Sequence, residues 1–333
     1  MDAEAVEALA RRSGAGGLLS PGTDGPVRVA AGVAAALGLP HPIDPATAAL
    51  VTDKREQRRA FDREGVPQPA WSEDGTGLPA GARVVVKPAA AQGQRGLEIV
   101  EPGGDLRAAV EAARAISRDG RALCEEFAEG PELTVNAFLD DGRFVALTVT
   151  DRERALAFGV ATAHIYPSLH PVAEIAAAAE AACRALGLTA GPSYTQVLMT
   201  PAGPRMMEVA ARLGGGHDAE LCAAALGVDL SAAAVLAALG RPPGPLAPTR
   251  DRSAIVRFLI APAGRLLRVD GLAEARALPG VELAHVYRAP GAVIGPLQRG
   301  PDRAGFVLAT GTTRADAEAA ARAAESAIRF VVE

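Results

Sequence analysis

Two lysines stand out because every other basic residue of the chain is an arginine. Lys54 and Lys87 are the only lysines among 34 basic residues. Lysine carries a compact ammonium on a thin stem, whereas arginine is a bulky planar fork. A narrow site that places one ammonium against a phosphate oxygen would therefore keep lysine and exclude arginine. The alternative is that a skewed composition left two lysines by chance.

The segment RVVVKPAAAQGQRGLEIV, residues 83–100, could bind phosphate. Lys87 lies at the end of a β-rich run. A loop of small residues with Gly93 and Gly96 follows, and a second predicted strand comes after the loop. Backbone N–H groups in such a loop can lie on phosphate oxygens. The segment differs from the common P-loop, because no GKS or GKT follows. Alternatively, it is an ordinary flexible hairpin.

The segment ALCEEFAEGPELTVNAFLDDG, residues 122–142, brings carboxylates to a strand crossover. Glu125 and Glu126 end one strand, and Glu132 opens the next. Exposed backbone at such a crossover could read the edge of an adenine, and a carboxylate beyond it could accept two ribose hydroxyls. A solvated acidic turn is the alternative interpretation.

Residues 191–221 carry a third candidate site. Two predicted strands form a hairpin around a short Pro/Ala/Gly turn, with Gln196 and Glu208 placed across it. Arg212 and the glycines 214–216 follow. A carboxylate beside an arginine and a glycine turn suits a magnesium–phosphate site with an anion clamp. The alternative is a salt bridge between Glu208 and Arg212 at the strand end.

The elements that must position these residues alternate between helix and strand. The Pro, Gly and capping signals predict helices over 3–12, 26–37, 53–64, 105–118, 171–186 and 314–330. The predicted strands are 16–22, 83–87, 96–100, 121–127, 132–138, 144–150, 194–200 and 205–210. Residues 253–313 are predicted as short strands joined by turns.

Composition excludes several classes of function. The net charge is −5 and no region is strongly basic, so nucleic acid is not an expected partner. No apolar run approaches the roughly 20 residues that span a bilayer, and the acidic N-terminus lacks a signal pattern. Cys124, Cys183 and Cys222 are too widely spaced to predict a zinc site or a disulfide framework. We expect a cytoplasmic location and no membrane partner.

Together and in this order, the three segments resemble the ATP-grasp superfamily, and its carboxylate–amine ligases of the L-amino acid type in particular. The resemblance covers about residues 18–333 and is carried by Asp53 and Lys54, VVVKP, the glycine loop, EEFAEGPE and MEVAARLGGGH. It implies an α/β and α+β architecture, with ATP held between two α+β subdomains. The implied domains are a short N-terminal α/β domain (1–50), a small subdomain with the lid loop (51–130) and a large subdomain with a C-terminal extension (131–333).

The resemblance also implies an activity and its ligands. Such ligases phosphorylate a carboxylate to an acyl phosphate, and an amine then displaces the phosphate. ATP, Mg²⁺, a small-molecule carboxylate, an amine and a homodimer are therefore expected. The implied ATP contacts are Lys54 and Lys87 for the phosphates, Gly93, Gln94 and Gly96 for the lid, Glu125, Glu126, Phe127 and Ala128 for the adenine, and Glu132 for the ribose. Glu208 and Gln196 would hold the metal, Arg212 would neutralise the acyl phosphate, and His164 and His217 would approach the substrate.

The chain departs from the family pattern at three side chains. Gln196 stands where a second metal carboxylate is usual, Ala210 where asparagine is usual, and Gln94 where serine is common. Since Gln196 contributes no charge, either a second Mg²⁺ binds weakly or the site is altered. The N-terminal domain also lacks the usual first strand and helix, so it is either truncated or completed by a partner.

Two other functions stay open. One is a non-catalytic ATP-binding protein with a decayed metal site, which the loss of charge at Gln196 would fit. The other is a ligase that acts on bicarbonate or formate, although the GGGH stretch at 214–217 favours the amino acid type.

Overall fold

The computed structural model describes residues 1–89, 96–117, 119–155 and 159–333. Gly93 and Gln94 of the predicted lid loop lie outside the described residues. The chain splits into two compact units, each built from separate stretches. The first unit comprises Met1–Ala146, Pro171–Leu213 and Ser231–Gly244, and the second comprises Leu147–His170, Gly214–Leu230 and Pro245–Glu333. The contiguous domain boundaries expected at 50 and 130 stay predictions.

Helices run through the whole of the described chain. They are α1 (Ala3–Ser13), α2 (Asp24–Leu37), α3 (Pro45–Val51), α4 (Lys54–Glu64), α5 (Leu106–Ile116), α6 (Val172–Ala185), α7 (Asp218–Leu226), α8 (Leu230–Ala238), α9 (Leu272–Arg276) and α10 (Arg314–Ala327). One 3₁₀ turn, Gly300–Asp302, accompanies them.

The strands alternate with these helices. They are β1 (Trp71–Ser72), β2 (Val84–Pro88), β3 (Glu98–Val100), β4 (Ala122–Glu126), β5 (Glu132–Asp140), β6 (Arg143–Arg154), β7 (Ala161–Tyr166), β8 (Gly191–Thr200), β9 (Gly203–Ala210), β10 (Ser253–Leu259), β11 (Gly264–Asp270), β12 (Val281–Val286), β13 (Val293–Ile294), β14 (Gly305–Gly311) and β15 (Arg329–Val332).

The first unit contains two antiparallel arrangements of strands. One sheet has the order β1-β4-β2-β3, and α5 packs against it through Val110 and Ala113 onto Val86 and Cys124. In the other, β8 pairs with β5 on one side and with β9 on the other. The predicted hairpin at 194–210 is therefore confirmed. It places Gln196 directly opposite Glu208.

The second unit contains an antiparallel sheet in the order β12-β14-β10-β7-β6. Its core lies between this sheet and α10, where Ala317, Ala321 and Ala324 meet Val307 and Ala309. Alanines suit this position because their small side chains let a helix lie close to a sheet. A smaller sheet, β13-β11-β15, lies in the same unit.

The predicted charged helix at 53–64 is confirmed because both of its end signals form. Asp53 is the N-cap, and its Oδ1 accepts hydrogen bonds from the N–H groups of Arg55 and Glu56. Gly65 ends α4 in the left-handed conformation, with φ of +68°. The cap fixes Lys54 at the first position of the helix.

Other predictions of local structure were wrong. Residues 16–22 do not form a strand. A Cβ at Gly17 would lie 2.3 Å from the carbonyl oxygen of Ala238, so the segment packs closely on α8 as irregular backbone. The closing helix ends at Ala327, and Arg329–Val332 forms β15 instead. The sequence patterns also gave no prediction for α3, α7, α8 or β7.

Over the described residues, no single helix is long and apolar enough to cross a membrane. Only the consecutive helices α7 and α8, taken as a bent pair, reach that length and composition together.

Candidate functional site

Helix α4 is fixed in the first unit by a buried arginine. Arg58 is 1% exposed, and its Nε donates to Glu125 Oε1 at 2.7 Å. Its Nη1 and Nη2 donate to the carbonyl oxygens of Met206 at 2.9 Å and Met207 at 2.6 Å. The register of β8 and β9 shifts between Gln196 and the next residue, and Arg58 holds the backbone of the opposing strand at this irregularity. Arg58 thus ties α4 to β4 and β9 at once.

Gln57, the neighbour of Arg58, adds a second tie to the same strand. Its Nε2 donates to the carbonyl of Val209 at 2.8 Å, and its Oε1 accepts from the N–H of Val209 at 3.0 Å. The amide therefore replaces a missing strand partner on β9. Because Lys54 lies one turn before these two residues, the ties set its position beside β9.

Lys87 shares the buried carboxylate of Glu125 with Arg58. Lys87 Nζ donates to Glu125 Oε2 at 2.7 Å, so each oxygen receives one cation. Burial raises the pKa of Glu125, but the charges of Arg58 and Lys87 outweigh it and hold that pKa at about 2. Burial also lowers the pKa of Lys87, which the charge of Glu125 only partly offsets. The result is a buried triad of two cations and one carboxylate.

Lys54 forms the second lysine–carboxylate pair of this unit. Its Nζ donates to Glu208 Oε1 at 2.9 Å, and the two side chains are 18% and 24% exposed. Burial lowers the pKa of Lys54, but the charge and hydrogen bond of Glu208 outweigh it and raise that pKa. Burial raises the pKa of Glu208, and Lys54 reverses this as well. Both groups are therefore charged at neutral pH, and Glu208 pairs with Lys54 rather than with Arg212.

Gln196 and Glu208 lie directly opposite each other across the β8–β9 hairpin, so their side chains share one face of it. The amide of Gln196 donates to the hydroxyl of Tyr194 at 3.3 Å, which leaves Oε1 of Gln196 as an acceptor. Glu208 uses Oε1 for Lys54, and its Oε2 has no hydrogen-bond partner among the described residues. Two oxygen ligands therefore lie on opposite strands of one hairpin.

Arg212 follows β9 and pairs with a carboxylate that the sequence patterns did not reveal. Its Nε donates to Asp24 Oδ1 at 2.5 Å, and its Nη1 donates to the carbonyl of Leu213 at 2.9 Å. The guanidinium also lies over the ring of Tyr194, 5.6 Å from its centre. Asp24 is in the first turn of α2, and nothing in the local sequence connects it with a residue 188 positions later.

The residues predicted to hold the nucleoside lie on β4, β5 and the stretch between them. Glu126 Oε2 accepts from the N–H of Ala70 at 3.4 Å, and Phe127 donates its N–H to the carbonyl of Arg83 at 2.8 Å. Ala128 follows Phe127 in irregular backbone. Since the side chain of Glu125 belongs to the buried triad, any contact of Glu125 with adenine falls to its backbone.

Two further residues predicted to contact ATP, Glu132 and Gly96, differ in environment. Glu132 is half-buried and opens β5 opposite Leu198 of β8. Gly96, at the far side of the predicted lid loop, has φ of +72°. A Cβ there would lie 2.8 Å from Ile116 Cδ1 and 2.9 Å from Pro88 Cγ, so both conformation and space require glycine.

His164 belongs to a buried pair in the second unit. Its Nδ1 donates to Asp218 Oδ1 at 2.8 Å, with the side chains 2% and 0% exposed. Burial raises the pKa of Asp218, but His164 outweighs it and lowers that pKa. The other ring nitrogen, Nε2, is buried without a hydrogen-bond partner among the described residues. A Cβ at Gly216 would lie 2.3 Å from His164 Cε1, so glycine is needed where the backbone passes the ring.

His217 lies at the start of α7 in the same unit and has a left-handed backbone, with φ of +60°. Its ring stacks on Phe306 with 3.6 Å between ring centres. Its Nε2 lies 2.5 Å from the hydroxyl of Tyr287, and its Nδ1 lies 3.2 Å from Glu220 Oε1. A left-handed conformation is costly for a residue with a side chain, and this aromatic and polar surrounding holds it.

The donor set of the first unit fits a magnesium ion only together with a phosphate ligand. Within the described ranges, no three His, Cys, Asp or Glu side chains group so that they could hold a metal. Mg²⁺ in phosphoryl-transfer sites is commonly held by one or two protein groups, by phosphate oxygens and by water. Glu208 Oε2 and Gln196 Oε1 supply two such groups. Lys54 and Lys87 supply the positive charge that a polyphosphate would need.

Comparisons with known proteins agree with this arrangement. Residues 51–216 match the family described as ATP-grasp domain, and residues 257–333 match the L-amino acid ligase C-terminal domain 2. The fold is similar to the crystal structure of an L-amino acid ligase from Bacillus licheniformis, with a TM-score of 0.85 and 22% identity. That similarity covers 100% of this chain and 85% of the other.

Two curated relatives resemble parts of the chain in sequence. Uncharacterized protein y4rH of Sinorhizobium fredii is 29% identical over 298 residues, which are 84% of this chain and 61% of that protein. Carnosine synthase 1 of Gallus gallus is 37% identical over 163 residues, which are 47% of this chain and 17% of that protein. The matched region thus spans less than two thirds of each curated relative. The predicted resemblance and ATP-grasp fold are confirmed: the chain belongs to the ATP-grasp superfamily and carries the C-terminal domain of the L-amino acid ligases.

Proposed function

We propose that this chain is an ATP-dependent ligase that activates a small carboxylate, an amino acid, and joins it to an amine. The observation that carries the proposal is the continuous set of charged and polar side chains in the first unit. It is made of Lys54, Glu208, Gln196, Tyr194, Arg212 and Asp24, linked by the contacts described above. The L-amino acid ligase domain at 257–333 supports an amino acid as the carboxylate.

The two lysines are proposed to hold the phosphates of ATP. Lys54 and Lys87 each pair with a carboxylate, so both side chains are already oriented. Bound ATP supplies the phosphoryl group, which moves to a carboxylate oxygen as the bond to ADP breaks. Arg212 would neutralise the oxygens of the resulting acyl phosphate, and electrostatic stabilisation of this kind usually contributes most to such chemistry.

Glu208 and Gln196 are proposed to hold Mg²⁺ together with the phosphates. The ion supplies positive charge to the phosphate oxygens where negative charge develops. One carboxylate and one amide give it less negative charge than two carboxylates would. We therefore expect its binding to depend on the nucleotide. Lys54 would remain beside Glu208 and hold that carboxylate in place.

The roles of His164 and His217 toward the substrate stay predictions. What supports a role for His164 is the state of its ring. Because Nδ1 donates to Asp218, Nε2 of a neutral imidazole is an acceptor, and no described residue uses it. The homodimer and the cytoplasmic location also stay predictions.

A substrate panel tests the proposal directly. The protein is incubated with ATP, Mg²⁺, each L-amino acid and a mixture of amines, and ADP and phosphate are measured. Amino-acid-dependent release of both, with an amide product seen by mass spectrometry, would support the ligase. Release that depends only on bicarbonate or formate would favour that class of ligase. Nucleotide binding without any release would favour a non-catalytic ATP-binding protein.

Lys87→Arg should weaken ATP binding roughly ten- to hundredfold, the loss expected for one charge-assisted contact. Lys87 shares its carboxylate with the buried Arg58, and a guanidinium is bulkier than an ammonium, so we expect arginine to fit poorly there. Calorimetric titration with ATP measures the effect, and Arg107→Lys at an exposed position is the control. Unchanged ATP affinity in Lys87→Arg would contradict the argument from lysine scarcity.

Glu132→Ala should raise the KM for ATP and leave kcat and the KM for the amine nearly unchanged. A ribose contact is made equally in the ground state and the transition state, so it affects binding and not the chemical step. Steady-state kinetics measure the effect. Glu129→Ala, three residues earlier and exposed, is the matched control. A loss confined to kcat would instead place Glu132 in the chemistry.

A further inference from the structure

We propose that Asp24 and Arg212 together form a subsite for the ammonium and carboxylate groups of an α-amino acid. The inference rests on the ligase function proposed above and adds Asp24 as the residue that selects the substrate. Asp24 Oδ1 and Arg212 Nε lie 2.5 Å apart, and the side chains are 13% and 12% exposed. The pair is thus partly enclosed but open at an edge.

Arg212 and Asp24 each have one polar group that could bind a ligand. Arg212 uses Nε for Asp24 and Nη1 for the carbonyl of Leu213, and no described residue accepts from Nη2. No described residue donates to Oδ2 of Asp24. The side chains of Asp24 and Arg212 are both partly exposed, so a ligand can approach the pair from solvent. A guanidinium has five N–H donors, so Arg212 can bind a second carboxylate without releasing the first.

The two free edges match the charges of an α-amino acid. Because Asp24 and Arg212 touch, their free atoms are neighbours, as are the ammonium and carboxylate that an α-amino acid carries on one carbon. The substrate ammonium would donate to Asp24, and Nη2 of Arg212 would donate to the substrate carboxylate. A substrate carboxylate that lacks an amine would leave Oδ2 of Asp24 without a hydrogen-bond donor. An amine several carbons away from the carboxylate would not reach Asp24.

This subsite adjoins the groups proposed to act on phosphate. The guanidinium of Arg212 lies over Tyr194, whose hydroxyl accepts from Gln196, and Gln196 lies opposite Glu208. A carboxylate bound to Arg212 would therefore lie beside the nucleotide phosphates, while Asp24 holds the ammonium away from them.

Binding measurements on Asp24→Asn test the subsite. Each L-amino acid is titrated by calorimetry into the wild type, with Mg²⁺ and a non-hydrolysable ATP analogue present. The best-binding amino acid and its des-amino analogue are then titrated into Asp24→Asn. We expect a roughly ten- to hundredfold loss of affinity for the amino acid and a change of less than about twofold for the analogue. Asp44→Asn, a capping carboxylate of another helix in the same unit, should leave both affinities unchanged.

Several outcomes would overturn the subsite. These are equal losses for both ligands, a wild type that binds the analogue as well as the amino acid, or a wild type that binds no amino acid. ADP formation in parallel samples, with ATP in place of the analogue, separates this inference from the proposed function. Amino acid binding that depends on Asp24 but yields no ADP would overturn the ligase and keep the subsite. ADP formation that is equal with the amino acid and with its des-amino analogue would overturn the subsite and keep the ligase.

Discussion

Glu208→Gln should lower ATP-dependent turnover by about 10²–10³-fold or more, the cost of removing one preorganised electrostatic group from such a site. Glu208 is the carboxylate of the proposed metal position, and Gln196 opposite it carries no charge. The variant would leave two neutral amides to hold Mg²⁺ against the phosphates. It would also remove the carboxylate that holds Lys54. Mg²⁺ would then bind less tightly and Lys54 would lose its fixed position. Less positive charge would therefore lie where ADP leaves.

The reverse change separates the metal from the lysine. Gln196→Glu adds a carboxylate while Lys54 and Glu208 are both kept, so Mg²⁺ should bind more tightly. A titration of Mg²⁺ against ADP release, for the wild type and both variants, measures the midpoint and the plateau. Glu180→Gln, at a partly exposed carboxylate on α6, is the control for a simple loss of charge.

Two results of that titration would contradict the proposal. If all curves share one midpoint and one plateau, neither residue contacts the metal. If the wild type turns over no substrate and Gln196→Glu gains activity, the chain is a nucleotide-binding protein whose metal site has decayed.

The sequence predicted those parts of the site that depend on local rules. Asp53 and Gly65 are capping residues, so the helix that begins at Lys54 could be placed from its ends. Gln196 and Glu208 could be placed across a hairpin because strands alternate with a period of two and the turn between them is short. The lysines could be selected because two exceptions in an arginine-rich chain are visible without any structure.

The other parts of the site depend on contacts between distant segments. Asp24 meets Arg212 and Arg58 meets Glu125 only after the chain has folded, and neither pair has a spacing that a helix or strand imposes. Arg58 lies in a helix of charged residues, where a solvated face would be the ordinary expectation. The strand predicted at 16–22 was wrong for a related reason, because its close packing on α8 is a tertiary contact.

Arg58→Leu should destabilise the protein by about 3–5 kcal/mol, the cost of removing one partner from a buried ion pair. Arg58 and Glu125 are 1% exposed each, and Arg58 also satisfies the carbonyls of Met206 and Met207. The neighbouring Arg59→Leu is a matched control, since Arg59 is 46% exposed and its ion pairs lie at the surface. Such pairs contribute about 0–1 kcal/mol. Urea unfolding of the two variants and the wild type measures the difference.

The same triad should give the wild type a defined response to acid. The pKa of Glu125 is about 2 in the folded protein against an ordinary value of 4.5. The stability that ionised Glu125 contributes is therefore complete above pH 4.5 and is lost as the pH falls toward 2. In Arg58→Leu the pKa of Glu125 should rise, so that acid unfolding begins at a higher pH than in the wild type. Arg58→Leu/Glu125→Leu should recover part of the lost stability, because no buried carboxylate then lacks its arginine. If Arg58→Leu and Arg59→Leu unfold at the same urea concentration and the same pH, Arg58 does not hold Glu125 ionised, and the rigid placement of Lys54 and Lys87 needs another cause.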